Sequence, residues 1–87
     1  MRRRSWPSIF IDILEASRTP LNKMRIMYKS NLNFERFDKY FSDMLKKGFV
    51  EKVRDSNGRT LYKTTKRGRT LLEVLTKAQE LVSSTED

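Results

Sequence analysis

The 87-residue chain has no cysteine and no histidine. That removes disulfides, the common zinc sites, thiol nucleophiles and the usual general base of neutral-pH catalysis. A chain without cysteine also fits a reducing compartment. Glycine occurs only three times, so no glycine-rich loop is available to cradle a phosphate. The longest strictly apolar run is Ile9-Phe10-Ile11, far short of the roughly 20 residues a membrane span requires. Arg2-Arg3-Arg4 has the charge of a secretory signal's start, but no apolar core of the needed length follows it. The carboxylates have no evident catalytic partner. The expectation is an intracellular protein of the cytoplasm, with no membrane partner, no metal, no cofactor, no small-molecule substrate and no enzymatic activity.

Charge is what the chain has in abundance. Nineteen basic and 11 acidic side chains give a net charge of +8. Residues 1–30 carry a net +5, residues 31–47 only +1, residues 48–70 again +5, and residues 71–87 a net −3. A polyanion is drawn to the first three segments and not to the last. Nine aromatic residues and regular apolar spacing speak against disorder. A single domain of this size buries about 60–65% of its unfolded surface. Its own core is therefore modest, and pairing with a second copy would extend it.

The local signals divide the chain into four helices and one hairpin. Ser5 or Trp6 starts a first helix, with Pro7 in the first turn, where a missing N–H costs nothing. Ile9, Phe10, Ile13 and Leu14 recur at helical spacing, and the run stops at Arg18-Thr19-Pro20. Asn22 caps a second helix from Lys23 to about Ser30, with Ile26 and Met27 inward. After an Asn31-Leu32 turn, Asn33 caps a third helix that Gly48 ends. Leu32 and Phe37 form a hydrophobic staple. Phe34, Phe37, Phe41 and Met44, with Leu45 beside them, fill one inward sector of this helix. The opposite sector centres on Lys39, with Glu35, Arg36, Asp43 and Lys46 around it and Tyr40 at its boundary. Residues 49–54 and 59–64 read as two strands, joined through the hairpin pair Asn57-Gly58. Thr65 caps a last helix from Lys66 to about Ser83.

The fold class is therefore mainly α with a small β-hairpin (α+β), arranged as a winged helix-turn-helix with a C-terminal dimerisation helix. Residues 1–64 form the DNA-binding domain with a short basic arm, and residues 65–87 form the pairing helix and an acidic tail. On this plan the third helix enters the major groove of duplex DNA. Arg36 and Lys39 reach guanine edges or phosphates, Asn33 approaches the backbone, and Asp43 accepts from cytosine N4. Lys23 and Arg25 of the second helix and Tyr40 of the third join the candidate contacts. In the hairpin, Arg54, Arg59 and Lys63, with Lys52, face phosphate or the minor groove. Arg2, Arg3 and Arg4 form an arm for an A·T-rich minor groove or a solvated terminus. Arg67 and Arg69 lie in the first turn of the last helix, where the helix dipole disfavours cations, which hints at a backbone contact. That helix carries two apolar seams: Leu71, Val74, Ala78 and Leu81 on one track, and Leu72, Leu75 and Val82 on another. One seam covers the domain and the other is left for a homodimer partner, so Leu71, Val74, Leu75, Ala78, Leu81 and Val82 are the candidate dimer residues.

The stretch Lys23-Met24-Arg25-Ile26-Met27-Tyr28-Lys29-Ser30-Asn31-Leu32-Asn33-Phe34, together with Tyr40, the segment from Leu45 to Val50 and the run Tyr62-Lys63-Thr64-Thr65-Lys66-Arg67-Gly68, resembles the small archaeal winged-helix proteins typified by the ten-kilodalton Sulfolobus chromatin protein. The resemblance covers about residues 9–75. It implies double-stranded DNA binding, an antiparallel coiled-coil dimer through the last helix, and a source in an archaeon or a virus of archaea. The chain departs from the family in placing Phe34 where tyrosine is frequent, and in a shorter final helix. Three functions stay open: a transcriptional regulator, a sequence-tolerant chromatin-type coating protein, and a winged-helix module for protein partners. RNA is disfavoured, because a helix cannot read the deep major groove of an A-form duplex.

Overall fold

The computed structural model describes residues 5–84. Along them run α1 (Trp6–Ala16), α2 (Lys23–Lys29), α3 (Phe34–Lys46), β1 (Val50–Arg54), β2 (Thr60–Thr64) and α4 (Lys66–Ser84). The winged-helix order expected from the local signals is the order found.

Helices α2 and α3 start where an asparagine side chain serves the exposed backbone groups. Asn22 accepts from Arg25 N–H at the start of α2, and Asn33 accepts from Arg36 N–H at the start of α3, both at 2.9 Å. Each bond satisfies one of the orphan donors of a first helical turn. The α2 helix stops at Asn31, whose φ of 55° is left-handed, a conformation asparagine tolerates better than most residues. The α3 helix stops in a paired motif: Phe49 N–H reaches Met44 O at 2.9 Å and Gly48 N–H reaches Leu45 O at 3.2 Å. That arrangement needs a left-handed residue, and Gly48 has φ 77°.

One core holds the elements together. Ile9, Phe10, Ile13 and Leu14 of α1 meet Ile26 of α2, Phe37, Phe41 and Met44 of α3, Val50 of β1, and Leu72 and Leu75 of α4. Phe37 and Phe41 stack at 4.8 Å, and Tyr62 of β2 meets Phe41 edge-on at 5.0 Å. The first half of α4 is thus part of this core.

Two polar links were invisible to apolar periodicity. Leu21, in the segment between α1 and α2, pairs antiparallel with Tyr62 through backbone bonds of 3.1 and 2.8 Å. A third short strand position therefore flanks the hairpin. The other link ties the end of α1 to the end of β2. Ser17 and Thr64 are both fully buried. Ser17 Oγ lies 2.8 Å from Thr64 Oγ1, Thr64 Oγ1 donates to Leu14 O at 2.8 Å, and Thr64 N–H donates to Ser17 O at 2.7 Å.

The hairpin turn falls at residues 55–58, between the two strands expected there. Of the Asn57-Gly58 pair, only Gly58 is left-handed, at φ 79°. The turn spans Asp55 to Gly58, with Gly58 N–H on Asp55 O at 3.0 Å. The Asp55 carboxylate accepts from the backbone N–H groups of Asn57 and Arg59, both at 2.9 Å. A carboxylate that holds two amides fixes the path of the turn.

Candidate nucleic-acid interface

The exposed face of α3 is built by its own periodicity. Phe37, Phe41 and Met44 bury one side, which leaves Glu35, Arg36, Lys39 and Lys46 exposed on the other. Arg36 and Lys39 form no ion pair among the described residues. The carboxylates beside them are engaged. Asp38 Oδ1 takes Lys23 Nζ of α2 at 3.1 Å, and Asp43 Oδ2 takes Lys47 Nζ at 3.0 Å. Only Glu35 stands among the exposed cations without a salt bridge in the described residues.

The remaining candidates fall into distinct settings. Lys23 is half-buried, held by Asp38 and lying 5.8 Å from the centre of the Phe41 ring, so it braces α2 against α3. Arg25 is exposed. The side-chain oxygen of Asn33 is occupied as the helix cap. Tyr40 turns inward: its ring meets Phe10 edge-on at 5.9 Å, with Trp6 against Phe10 at 5.4 Å. Arg2, Arg3 and Arg4 lie outside the described residues.

Strand register divides the wing's cations between two faces. The pairs Lys52 with Tyr62 and Arg54 with Thr60 share one face, whereas Glu51 with Lys63 lies on the other. Arg54 and Lys63 therefore do not act together, and the natural companion of Arg54 is Lys52. Arg54 Nη1 donates to Gly58 O at 3.2 Å and supports the turn from which Arg59 projects. Lys63 is half-buried opposite Glu51. Arg67 also has a local occupation, its guanidinium lying 5.1 Å from the centre of the Phe49 ring.

The geometry of α4 chooses between its two seams. Leu72 and Leu75 face the domain's own core, and Leu71 packs half-buried against it. Leu75 is therefore removed from the partner-facing set, because it is buried in that core. Val74, Leu81 and Val82 are 58%, 63% and 60% exposed, and Ala78 is exposed with them.

Sequence reasoning misjudged one residue of α3. Phe34 shares the stripe of Phe37 and Phe41 but is 64% exposed, and Met24 of α2 is 58% exposed near it. The signal available in the sequence was position: Phe34 is the first helical residue, with no earlier turn to cover it.

Among the described residues, no three acidic or metal-ligating side chains cluster to hold an ion, and no helix is long and apolar enough to cross a membrane.

Comparison with known proteins bears on this arrangement. By sequence, no curated protein matches the chain. Among solved structures, Sso10a-2, a DNA-binding protein from Sulfolobus solfataricus, superposes with a TM-score of 0.78 at 24% identity, over 95% of this chain and 90% of that one. The F-93 protein of SSV1 superposes with a TM-score of 0.69 at 15% identity, over 97% of both chains. The MarR family transcriptional regulator SPO1453 from Silicibacter pomeroyi gives a TM-score of 0.65 at 20% identity over 91% of this chain, which spans 57% of that longer protein. At these identities the likeness is one of fold. The family model for the winged helix-turn-helix matches residues 3–83. With a wing seated between the third and fourth helices and nearly the whole length matched, the chain belongs to the winged helix-turn-helix family.

Proposed function

We propose that this protein binds double-stranded DNA as a transcriptional regulator, with α3 in the major groove and the hairpin as a wing along the backbone. The observation that carries the reading is the exposed face of α3. Arg36 and Lys39 project there without salt-bridge partners among the described residues, while Asp38 and Asp43 are held by Lys23 and Lys47. Free cations on a groove-sized helix supply attraction to phosphate and bidentate donors for guanine. Glu35 beside them favours sequence preference: it is repelled by phosphate and accepts only where a base offers a donor, as cytosine N4 does.

Lys52 and Arg54 on one face of the wing, with Arg59 at its turn, extend the cationic surface. Arg25 of α2 and the arm Arg2 to Arg4 are further backbone contacts on this reading. Residues 1–64 read the DNA, and the first turns of α4 complete that module's core. Beyond them, Val74, Ala78, Leu81 and Val82 form the surface on which a second copy pairs. A homodimer would present two α3 helices to half-sites roughly 34–36 Å apart. The protein acts in the cytoplasm, where the nucleoid lies, and has no catalytic role.

Fluorescence anisotropy across a salt series tests the reading, using a random-sequence duplex and one selected from a pool. A slope of log affinity against log salt of about −4 to −8 is expected for this number of phosphate contacts. R36A/K39A should reduce its magnitude by about two. A gap between duplexes beyond about a thousandfold marks a regulator, and one below about tenfold marks a coating protein. No binding to either duplex at low salt refutes the DNA reading and leaves protein partners.

A further inference from the structure

We propose that Phe34 is a specificity contact for the 5-methyl group of thymine, so that the protein prefers thymine at the base step under the tip of α3. The inference rests on the DNA reading above and gives that surface a chemical preference.

Three observations carry it. First, Phe37 and Phe41 on the same stripe are almost wholly buried, but Phe34 is 64% exposed. It is the first residue of α3, directly after the Asn33 cap. Side chains on a helix lean toward its N-terminus, so that of Phe34 extends past the tip and is not drawn onto the core. Second, it does not stand alone. Met24 and Met27 of α2 line one cleft with Phe34 and Phe37, a cavity of about 370 Å³ with Asn22 and Lys23 the remaining lining residues. The floor is apolar and, with two methionines, adaptable. Third, Phe34 opens the helix whose next two residues, Glu35 and Arg36, are exposed polar side chains.

On the DNA reading, the tip of α3 meets the major groove. The residues that reach base edges are those at the N-terminal end of a groove helix. Thymine alone of the four bases presents a methyl group there. Phenylalanine has no donor or acceptor, so the feature it distinguishes on a base edge is that methyl group. Glu35 and Arg36, which follow it, read the polar pattern beside it.

The test uses two duplexes of the same alternating A·T sequence, one with thymine and one with deoxyuridine throughout. They differ in the 5-methyl group alone. Wild-type protein should bind the deoxyuridine duplex about fourfold more weakly for each methyl contacted, the worth of one buried group of that size. F34A should bind both duplexes equally, with the wild-type salt slope, because no charge is removed. F34Q, which keeps a good helix former at this position, gives the same reading if F34A folds poorly. Equal binding of both duplexes by the wild-type protein overturns the proposal and leaves the Phe34–Met24 patch as a protein contact. Methyl dependence that persists in both variants also overturns it, by placing the methyl contact elsewhere. Binding of neither duplex at low salt fails the DNA reading itself, a result distinct from the other two.

Discussion

Replacing Gly68 with alanine asks how closely the wing and the last helix are fitted together. In an ordinary helix the change is favourable by about 0.5–1 kcal/mol, because alanine orders at less entropic cost than glycine. Here the added Cβ would lie 2.1 Å from Phe49 O and 2.7 Å from Thr64 Cγ2. Ordinary contact begins near 3.4 Å, so helix and carbonyl must part by about 1.3 Å. That carbonyl also accepts from Thr65 N–H at 3.0 Å, and Thr65 Oγ1 donates to Gly48 O at 2.7 Å. The bonds that dock the start of α4 under the wing are therefore strained together. Overpacking costs about 1–3 kcal/mol and a weakened hydrogen bond about 1 more. After the helix gain is subtracted, about 1–3.5 kcal/mol of stability is lost. A domain of this size has only about 4–13 kcal/mol in total. The melting temperature should fall by roughly 5–25 °C. Thermal unfolding followed by circular dichroism measures it. G58A serves as a control: Gly58 has φ 79° but open space around it, so only backbone strain is added, at about 1 kcal/mol. If G68A melts at or above the wild-type temperature, the close approach of α4 to Phe49 is not a constraint on the fold and the reasoning fails.

Two further outcomes follow from the buried and exposed faces. Thr64→Val keeps the shape of a fully buried side chain but leaves Leu14 O without its hydroxyl donor, while Ser17 Oγ keeps only its bond to Ile13 O. A loss of about 1–3 kcal/mol in urea unfolding is expected, and a change within about 0.5 kcal/mol would mean the hydroxyl link contributes nothing net. Val74→Glu places a charge on the exposed seam of α4 without touching the core. Light scattering at tens of micromolar should report twice the 10.4 kDa chain mass for the wild type and a single chain for the variant. A wild-type protein that is already monomeric, or a V74E protein that stays dimeric, would remove α4 as the pairing surface.

The parts of this fold that were legible in the sequence are those governed by neighbours along the chain. Asn22 and Asn33 cap their helices because an asparagine oxygen reaches the backbone three residues on, whatever lies elsewhere. Gly48 ends α3 because only its own φ matters. The spacing of Phe37, Phe41 and Met44 is a property of helical geometry. From those signals alone came the four helices, the wing and the cationic face with Arg36 and Lys39.

What depended on elements meeting in space could not be read that way. A helical wheel displays both seams of α4, but it is contact with the rest of the core that sends Leu72 and Leu75 inward and leaves Val74 out. The wheel likewise puts Phe34 with Phe37, although burial needs a neighbour and the helix tip has none to cover it. Asp38 finds Lys23 fifteen residues away, and Ser17 finds Thr64 forty-seven residues away, across turns whose course no local signal specifies. Strand register, set by the Asp55–Gly58 turn, divided Arg54 from Lys63. Local backbone chemistry determined which elements form, and tertiary packing decided which of their side chains remain for a partner, because exposure belongs to the assembled surface and not to any one segment.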